Sequence, residues 1–310
     1  MADHDFHLIP IPNRYPIQVP FSSLPKPKKR GRIFNIPLTT TALCGRKGSG
    51  KGVCIFNILA DLVSGYPLIE KKPKIQSGEG FSLRMGSQER EDVKPILKFG
   101  IRGMASVQKQ DEEKDDKKSY HRLLHVFIYS STLHSDPIWK SIIDFLKKSG
   151  VRVTIYTSSY SDDGKINNLE VLRDYLQEQD LLRETNEDDD TSYEYCVILD
   201  DLSEEIKRNP YISALLKSSR HHSIRNLLLS TQDVKDLLPT SWFNIDNTLL
   251  FAKQNIERIQ HFHDITGLDL PLPLFIEIWR DATRAKHNFL YVQVPEEKFY
   301  KNFSEEYIFT

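Results

Sequence analysis

The chain has 310 residues, 39% hydrophobic and 27% charged, a balance that supports a sizeable core and excludes a disordered polyelectrolyte. Lys and Arg number 42 against 43 Asp and Glu, a formal net charge of -1, so a uniformly basic coat for nucleic acid is excluded and polyanion binding must come from local patches. No apolar run reaches the roughly 18–20 residues that span a bilayer, the opening MADHDFHLIPIP is not expected to be a signal peptide, and Cys44, Cys54 and Cys196 lack metal-ligand spacing and read as reduced thiols of an intracellular protein.

Residues 1–32 are rich in proline and end in Pro25-Lys-Pro-Lys-Lys-Arg-Gly-Arg32. Proline lacks a backbone donor and discourages helix, so an extended basic arm is expected. Its Lys26–Arg32 cluster suits a nuclear-import signal, a DNA-contacting arm or a solvated tail. A single domain is expected over 33–305, with a short tail at 306–310. It begins with a β-branched strand, Ile36–Cys44, then a glycine loop, then helical apolar spacing from Val53 to Val63. Gly, Ser, Lys and Glu dominate from Lys71 to Tyr120, ending in the mixed-charge run Asp111–Lys118. A structureless loop of that length is unusual in a compact domain, so an insertion with partial helix at Glu89–Phe99 is expected.

Regular alternation then returns. Strands are expected at Leu123–Ser130 and Val151–Tyr156 around a helix at Pro137–Lys148, followed by a helix at Ile166–Leu182 and a strand at Tyr195–Asp200. A helix near Ser203–Ser219, strands at Asn226–Thr231 and Thr248–Phe251, helices at Ile256–Thr266 and Leu274–Ala282, and a last strand at Phe289–Val294 complete the series. Strands alternating with helices indicate an α/β domain whose central sheet is mostly parallel and flanked by helices. Trp139, Trp242 and Trp279 are expected to pack in the core, and His134 near Asp136 reads as structural.

Chemistry concentrates in four places. The loop Gly45-Arg46-Lys47-Gly48-Ser49-Gly50-Lys51-Gly52, continuing into Val53, stands between a strand and a helix, the context of a phosphate loop. Glycines let successive N–H groups converge on phosphate oxygens, the helix N-terminus adds its positive dipole end, and Lys51 reaches the β- and γ-phosphates. One position departs: Gly52 stands where Ser or Thr usually offers a hydroxyl to Mg²⁺, and a water could fill that ligand position. The second place is Val197-Ile-Leu-Asp200-Asp201, an acidic pair at the end of an apolar strand, where open α/β sheets bind ligands. Asp200 suits a Mg²⁺ carboxylate and Asp201 a base that orients water. The third is the strand ending Ser230-Thr-Gln232: if it lies beside the phosphate-loop strand, Gln232 faces the γ-phosphate. The fourth is Arg220, with Arg225 second, as an arginine offered to a neighbouring subunit's site; a solvated basic turn is the alternative.

These segments resemble the DNA-packaging ATPases of the FtsK/HerA superfamily, in particular the poxvirus-type branch of large eukaryotic DNA viruses, virophages and polinton-like elements. The resemblance rests on Gly45–Gly52, Phe127-Ile-Tyr-Ser-Ser-Thr-Leu-His-Ser-Asp-Pro137, Ile198–Leu202, Arg220-His221 through Gln232, Leu237–Pro239, His287–Val292 and Phe299–Phe303. It implies a RecA-like P-loop NTPase core that binds ATP and Mg²⁺. It further implies a homo-oligomeric ring of five or six subunits, and double-stranded DNA and capsid proteins as partners. The setting it implies is a virion or a host-cell virus factory or nucleus. By the same resemblance Lys51 is the phosphate lysine, Asp200 the metal carboxylate, Asp201 the catalytic acid position, Gln232 the sensor and Arg220 the trans-acting arginine. Two other readings remain open: a nucleotide-binding assembly protein with little hydrolysis, suggested by Gly52, and a RecA-like helicase or remodelling ATPase.

Overall fold

A strand buried on both faces shows a continuous apolar run, and a sheet of such strands needs helices on both sides. The computed structural model describes residues 6–11, 33, 38–64, 123–161, 163–185 and 193–309, and within them the chain builds that arrangement. In chain order the elements are β1 (Phe6–Pro10), β2 (Thr39–Cys44), α1 (Lys51–Ser64), β3 (Leu123–Ser130), α2 (Pro137–Lys148), β4 (Arg152–Tyr156), α3 (Asn168–Thr185) and β5 (Tyr193–Asp200). There follow α4 (Ser203–Arg208), α5 (Pro210–Ser218), β6 (Ile224–Thr231), a 3-10 turn at Val234–Asp236, α6 (Pro239–Trp242) and β7 (Asn247–Phe251). The last are α7 (Ile256–Thr266), α8 (Leu272–Ala282), β8 (Phe289–Gln293), β9 (Lys298–Lys301) and β10 (Glu305–Phe309).

The strands form one sheet in the order β1-β10-β9-β8-β7-β2-β6-β5-β3-β4. From β7 to β4 every neighbouring pair is parallel. From β7 outward through β8, β9 and β10 to β1 every pair is antiparallel: tight turns join β8 to β9 and β9 to β10, α7 and α8 intervene between β7 and β8, and β1 and β10 come from opposite ends of the described chain. The mostly parallel expectation therefore describes the centre of the sheet.

Alternation along the strands splits the core in two. Leu43, Val126, Ile128, Cys196, Ile198, Leu228 and Leu249 face α1 and α2, through Ile55, Ile58, Trp139 and Ile142. Ala42, Phe127, Tyr129, Val197, Leu199, Leu227 and Leu229 face the other way, onto α3, α5, α7 and α8. All three cysteines are free thiols buried in these layers, and burial pushes the Cys44 thiol up to about 12. They are packing groups; none is a ready nucleophile.

Three differences from the sequence expectations have local causes. The helix expected over Ser203–Ser219 breaks into α4 and α5 because residue 210 is proline, which turns Asn209 out of the helical region (φ -86°, ψ 111°). The Asn209 side chain then caps α5 by accepting from Tyr211 N–H at 3.1 Å. The residues expected as a tail carry β10, which pairs with both β9 and β1. Within the expected arm, Phe6–Pro10 is an edge strand, and Pro10 is tolerated at its end because an edge leaves one side of the ladder open. The rest of the arm, the Lys26–Arg32 cluster, the insertion at 71–120 with its helix at Glu89–Phe99, and Asp111–Lys118 lie outside the described residues.

Candidate functional site

The C-terminal ends of the parallel strands carry the polar groups. β2 stops at Cys44, and Gly45 N–H donates to Thr231 O at 3.1 Å, so the glycine loop leaves the sheet at the end of β6. Gly48 (φ +74°) and Gly50 (φ +107°) occupy left-handed backbone that a side chain would strain, and they fold the loop back toward α1. Cys54 N–H donates to Gly50 O at 3.1 Å as the first rung of that helix. The N–H groups of Lys51, Gly52 and Val53 thus head α1 without intrahelical acceptors, at the positive end of its dipole. The Lys51 ammonium donates to the carbonyls of Gly45 and Arg46, so it curls over the loop. Burial pushes its pKa below the ordinary lysine value, while the carboxylates of Asp200 and Asp201 pull the other way. Arg46 and Lys47 are exposed, and the Ser49 hydroxyl is buried inside the loop rather than offered at its mouth.

The acidic pair ends β5. Asp200 sits opposite Ser130 of β3 and Ser230 of β6 in the ladder. Burial raises its pKa, against the hydroxyls of Ser230 and Ser130 and the charge of Lys51. Asp201 turns the chain with φ +54°, a left-handed conformation that Asp tolerates better than most side chains. Its N–H donates to Ser230 O at 3.2 Å, and its backbone carbonyl accepts from Ser131 Oγ at 2.9 Å. The Gln232 amide donates to Asp201 Oδ1 at 2.8 Å, and Gln254 holds the Gln232 carbonyl at 3.1 Å. The condition attached to Gln232 in the sequence is met: β6 lies between β2 and β5, with Cys44 opposite Thr231 and Asp200 opposite Ser230.

That order decides the fold: a strand inserted between the glycine-loop strand and the acidic strand, with all three ending on one side. The core is an α/β sheet, parallel at its centre and flanked by helices, with the strand order expected of a RecA-like fold. Neither a known protein family nor a curated protein matches the chain in sequence. Among solved structures it is similar to "the DNA-packaging ATPase from Sulfolobus Turreted Icosahedral Virus", B204, at 14% identity and a TM-score of 0.45, over 85% of this chain and 96% of that one. It is also similar to the genome packaging NTPase B204 from Sulfolobus turreted icosahedral virus 2 in complex with AMP, at 17% identity and a TM-score of 0.43, over 84% and 95% of the two chains. The cytoplasmic domain of the Thermomonospora curvata Type VII secretion ATPase EccC aligns at 10% identity and a TM-score of 0.44, over 82% of this chain and 24% of that one.

In this core the two candidate arginines sit at the far end of the strands. Arg220 is exposed and pairs with Asp246, whose other oxygen accepts from Thr40 N–H at 2.8 Å at the start of β2. Arg225 pairs with Glu194 at 2.7 Å near the starts of β6 and β5. Neither reaches the chain's own glycine loop. His134 is exposed, and Asp136 caps α2 by accepting from Ile138 N–H at 3.0 Å, so the two form no dyad.

Sequence reasoning missed the neighbours of Gly52 and of Asp200. Capped by Asp136 with proline at its first position, α2 starts where it lays Ile138 against Gly52: a Cβ at 52 would stand 3.0 Å from Ile138 Cγ2. The next residue, Trp139, donates its indole N–H to Asp200 Oδ2 at 3.2 Å. Trp139 packs as expected and bonds as well. The one sequence sign was the Asp-Pro helix start two residues before the tryptophan. Crowding at 52 fixes the sign of a substitution: Gly52→Ala gains about 1 kcal/mol of helix propensity and loses about 1–3 kcal/mol to overpacking. A lowered melting temperature is expected, recovered when Ile138→Val makes room; thermal unfolding of the single and double variants measures it.

The site also bears on which cation it suits. Among the described residues no group of three or more His, Cys, Asp or Glu is arranged to cage a metal. A single buried carboxylate, Asp200, with hydroxyls beside it and a phosphate loop facing it, fits Mg²⁺, which is commonly held by one or two carboxylates, waters and nucleotide phosphates.

Proposed function

We propose that this protein is an ATPase whose hydrolysis drives double-stranded DNA into a viral capsid as a homo-oligomeric ring. The observation that supports it most is the convergence at one strand end of Lys51, Asp200, Asp201 and Gln232, with Gln232 bonded to Asp201 at 2.8 Å. In this reading the loop N–H groups and Lys51 bind and neutralise the phosphates. Asp200 would hold Mg²⁺, whose charge would help to neutralise that developing on the phosphates. Asp201 accepts a proton from the attacking water, and Gln232 fixes both the water and the carboxylate that receives the proton. Positioning and electrostatics then do most of the work of phosphoryl transfer. Arg220 is proposed to serve a neighbouring subunit, after exchanging Asp246 for the neighbour's phosphate.

DNA and the capsid enter through the resemblance of the Phe127–Pro137, Ile198–Leu202 and Arg220–Gln232 segments to packaging ATPases. Double-stranded DNA should raise the rate of phosphate release, and light scattering should give a mass of several subunits. A second reading is favoured by Gly52, whose hydroxyl is missing and whose side-chain space Ile138 fills: a nucleotide-binding assembly protein that does not turn over. ATP binding without phosphate release, with or without DNA, would establish that reading and overturn the motor.

A further inference from the structure

In a standard phosphate loop the hydroxyl after the lysine serves the metal site, next to the carboxylate at the end of the acidic strand. Here residue 52 has no hydroxyl, and Ile138 occupies the direction in which one would project. Asp200 is nevertheless held firmly. Ser130 Oγ donates to Asp200 Oδ2 at 3.1 Å, Trp139 Nε1 at 3.2 Å and Thr132 Oγ1 at 3.5 Å, and Thr132 Oγ1 is 3.2 Å from Ser130 Oγ. These groups converge on one carboxylate oxygen, which fixes the rotation of the group and leaves Oδ1 as the oxygen able to take a cation. Ser130 is fully buried and Trp139 is 1% exposed, so the bonds form away from competing water.

The indole bond is more than packing. Trp242 and Trp279 are also buried, yet their N–H groups find no acceptor among the described residues. The residue that crowds Gly52 and the residue that bonds Asp200 are adjacent, Ile138 and Trp139, on the first turn of α2. One helix start thus closes the usual hydroxyl position and supplies a hydrogen-bond donor to the Asp200 carboxylate. We propose that Ser130, Thr132 and Trp139 are positioning residues for a metal carboxylate at Asp200, replacing from β3 and α2 the support that the loop lacks at Gly52. The inference rests on the nucleotide-site reading above and adds the means by which this chain holds its cation.

The test uses the full chain, AMP-PNP as nucleotide and Mn²⁺ as probe, with bound Mn²⁺ read by electron paramagnetic resonance. Trp139→Phe keeps the ring and removes the donor; Ser130→Ala removes a second donor with little change in volume. Loss of an outer hydrogen bond to a metal ligand commonly weakens metal affinity about 10- to 100-fold, and that loss is expected in both variants. AMP-PNP affinity measured in EDTA should be unchanged, because neither side chain belongs to the loop. Thermal unfolding checks that each variant is folded, and Ser130→Ala carries the test alone if Trp139→Phe is not. Wild-type Mn²⁺ affinity in a folded variant overturns this inference and leaves the nucleotide site standing. A wild-type chain that binds neither AMP-PNP nor Mn²⁺ with it overturns both.

Discussion

Lys51→Ala should lower ATP turnover by at least about two to three orders of magnitude, the loss typical when a charge-stabilising donor is removed from a phosphoryl or acyl transfer site. The lysine is the first residue of α1, and among the described residues its ammonium bonds the carbonyls of Gly45 and Arg46 and makes no ion pair. Alanine is the best helix former, so the fold should survive and the melting temperature should stay close to wild type. The expected pattern is therefore lost phosphate release in a folded protein. Steady-state release beside a melting curve measures both, and persistent ATPase activity would remove Lys51 from the site.

Asp201→Asn should cut kcat by about 10²–10⁴-fold, the usual contribution of a positioned general base, while nucleotide affinity holds. The substitution is chosen from the geometry. Asparagine accepts the left-handed φ of +54° as readily as aspartate, and its Oδ1 can still receive the Gln232 amide. Structure is preserved and only the basic oxygen is lost. Alanine there would add backbone strain and blur the reading. Binding of a fluorescent ATP analogue, set against single-turnover hydrolysis, separates the two effects; equal hydrolysis in Asp201→Asn would assign the water to another group.

The centre of the sheet was legible because parallel strands announce themselves as apolar runs: β2, β3, β5 and β6 were each expected within about two residues at their C-terminal ends, the level at which boundaries are ordinarily read. Gly45–Gly52, Asp200, Asp201 and Gln232 were legible because each follows such a run. The antiparallel extension was not. β9 and β10 are short, and their partners are a hairpin neighbour and the other end of the chain, so no local pattern marks them. Pro210 marks the break after Asn209, but apolar spacing continues across the proline and reads as one helix. The bond from Trp139 to Asp200 spans 61 positions in sequence and depends on how α2 is pitched against β5. A tryptophan looks the same in sequence whether its N–H is idle or engaged.

The hold of Lys51 on its own loop changes what an affinity for ATP means. Its ammonium already has acceptors in the Gly45 and Arg46 carbonyls. A triphosphate arriving there does not add bonds to an idle cation; it exchanges backbone partners for phosphate ones, and the released carbonyls must turn elsewhere. The dissociation constant then reports a difference between two complete sets of contacts. Tightening the loop onto its lysine would slow and weaken nucleotide capture with no change in any residue that touches the nucleotide. In this chain the reference state is a competitor.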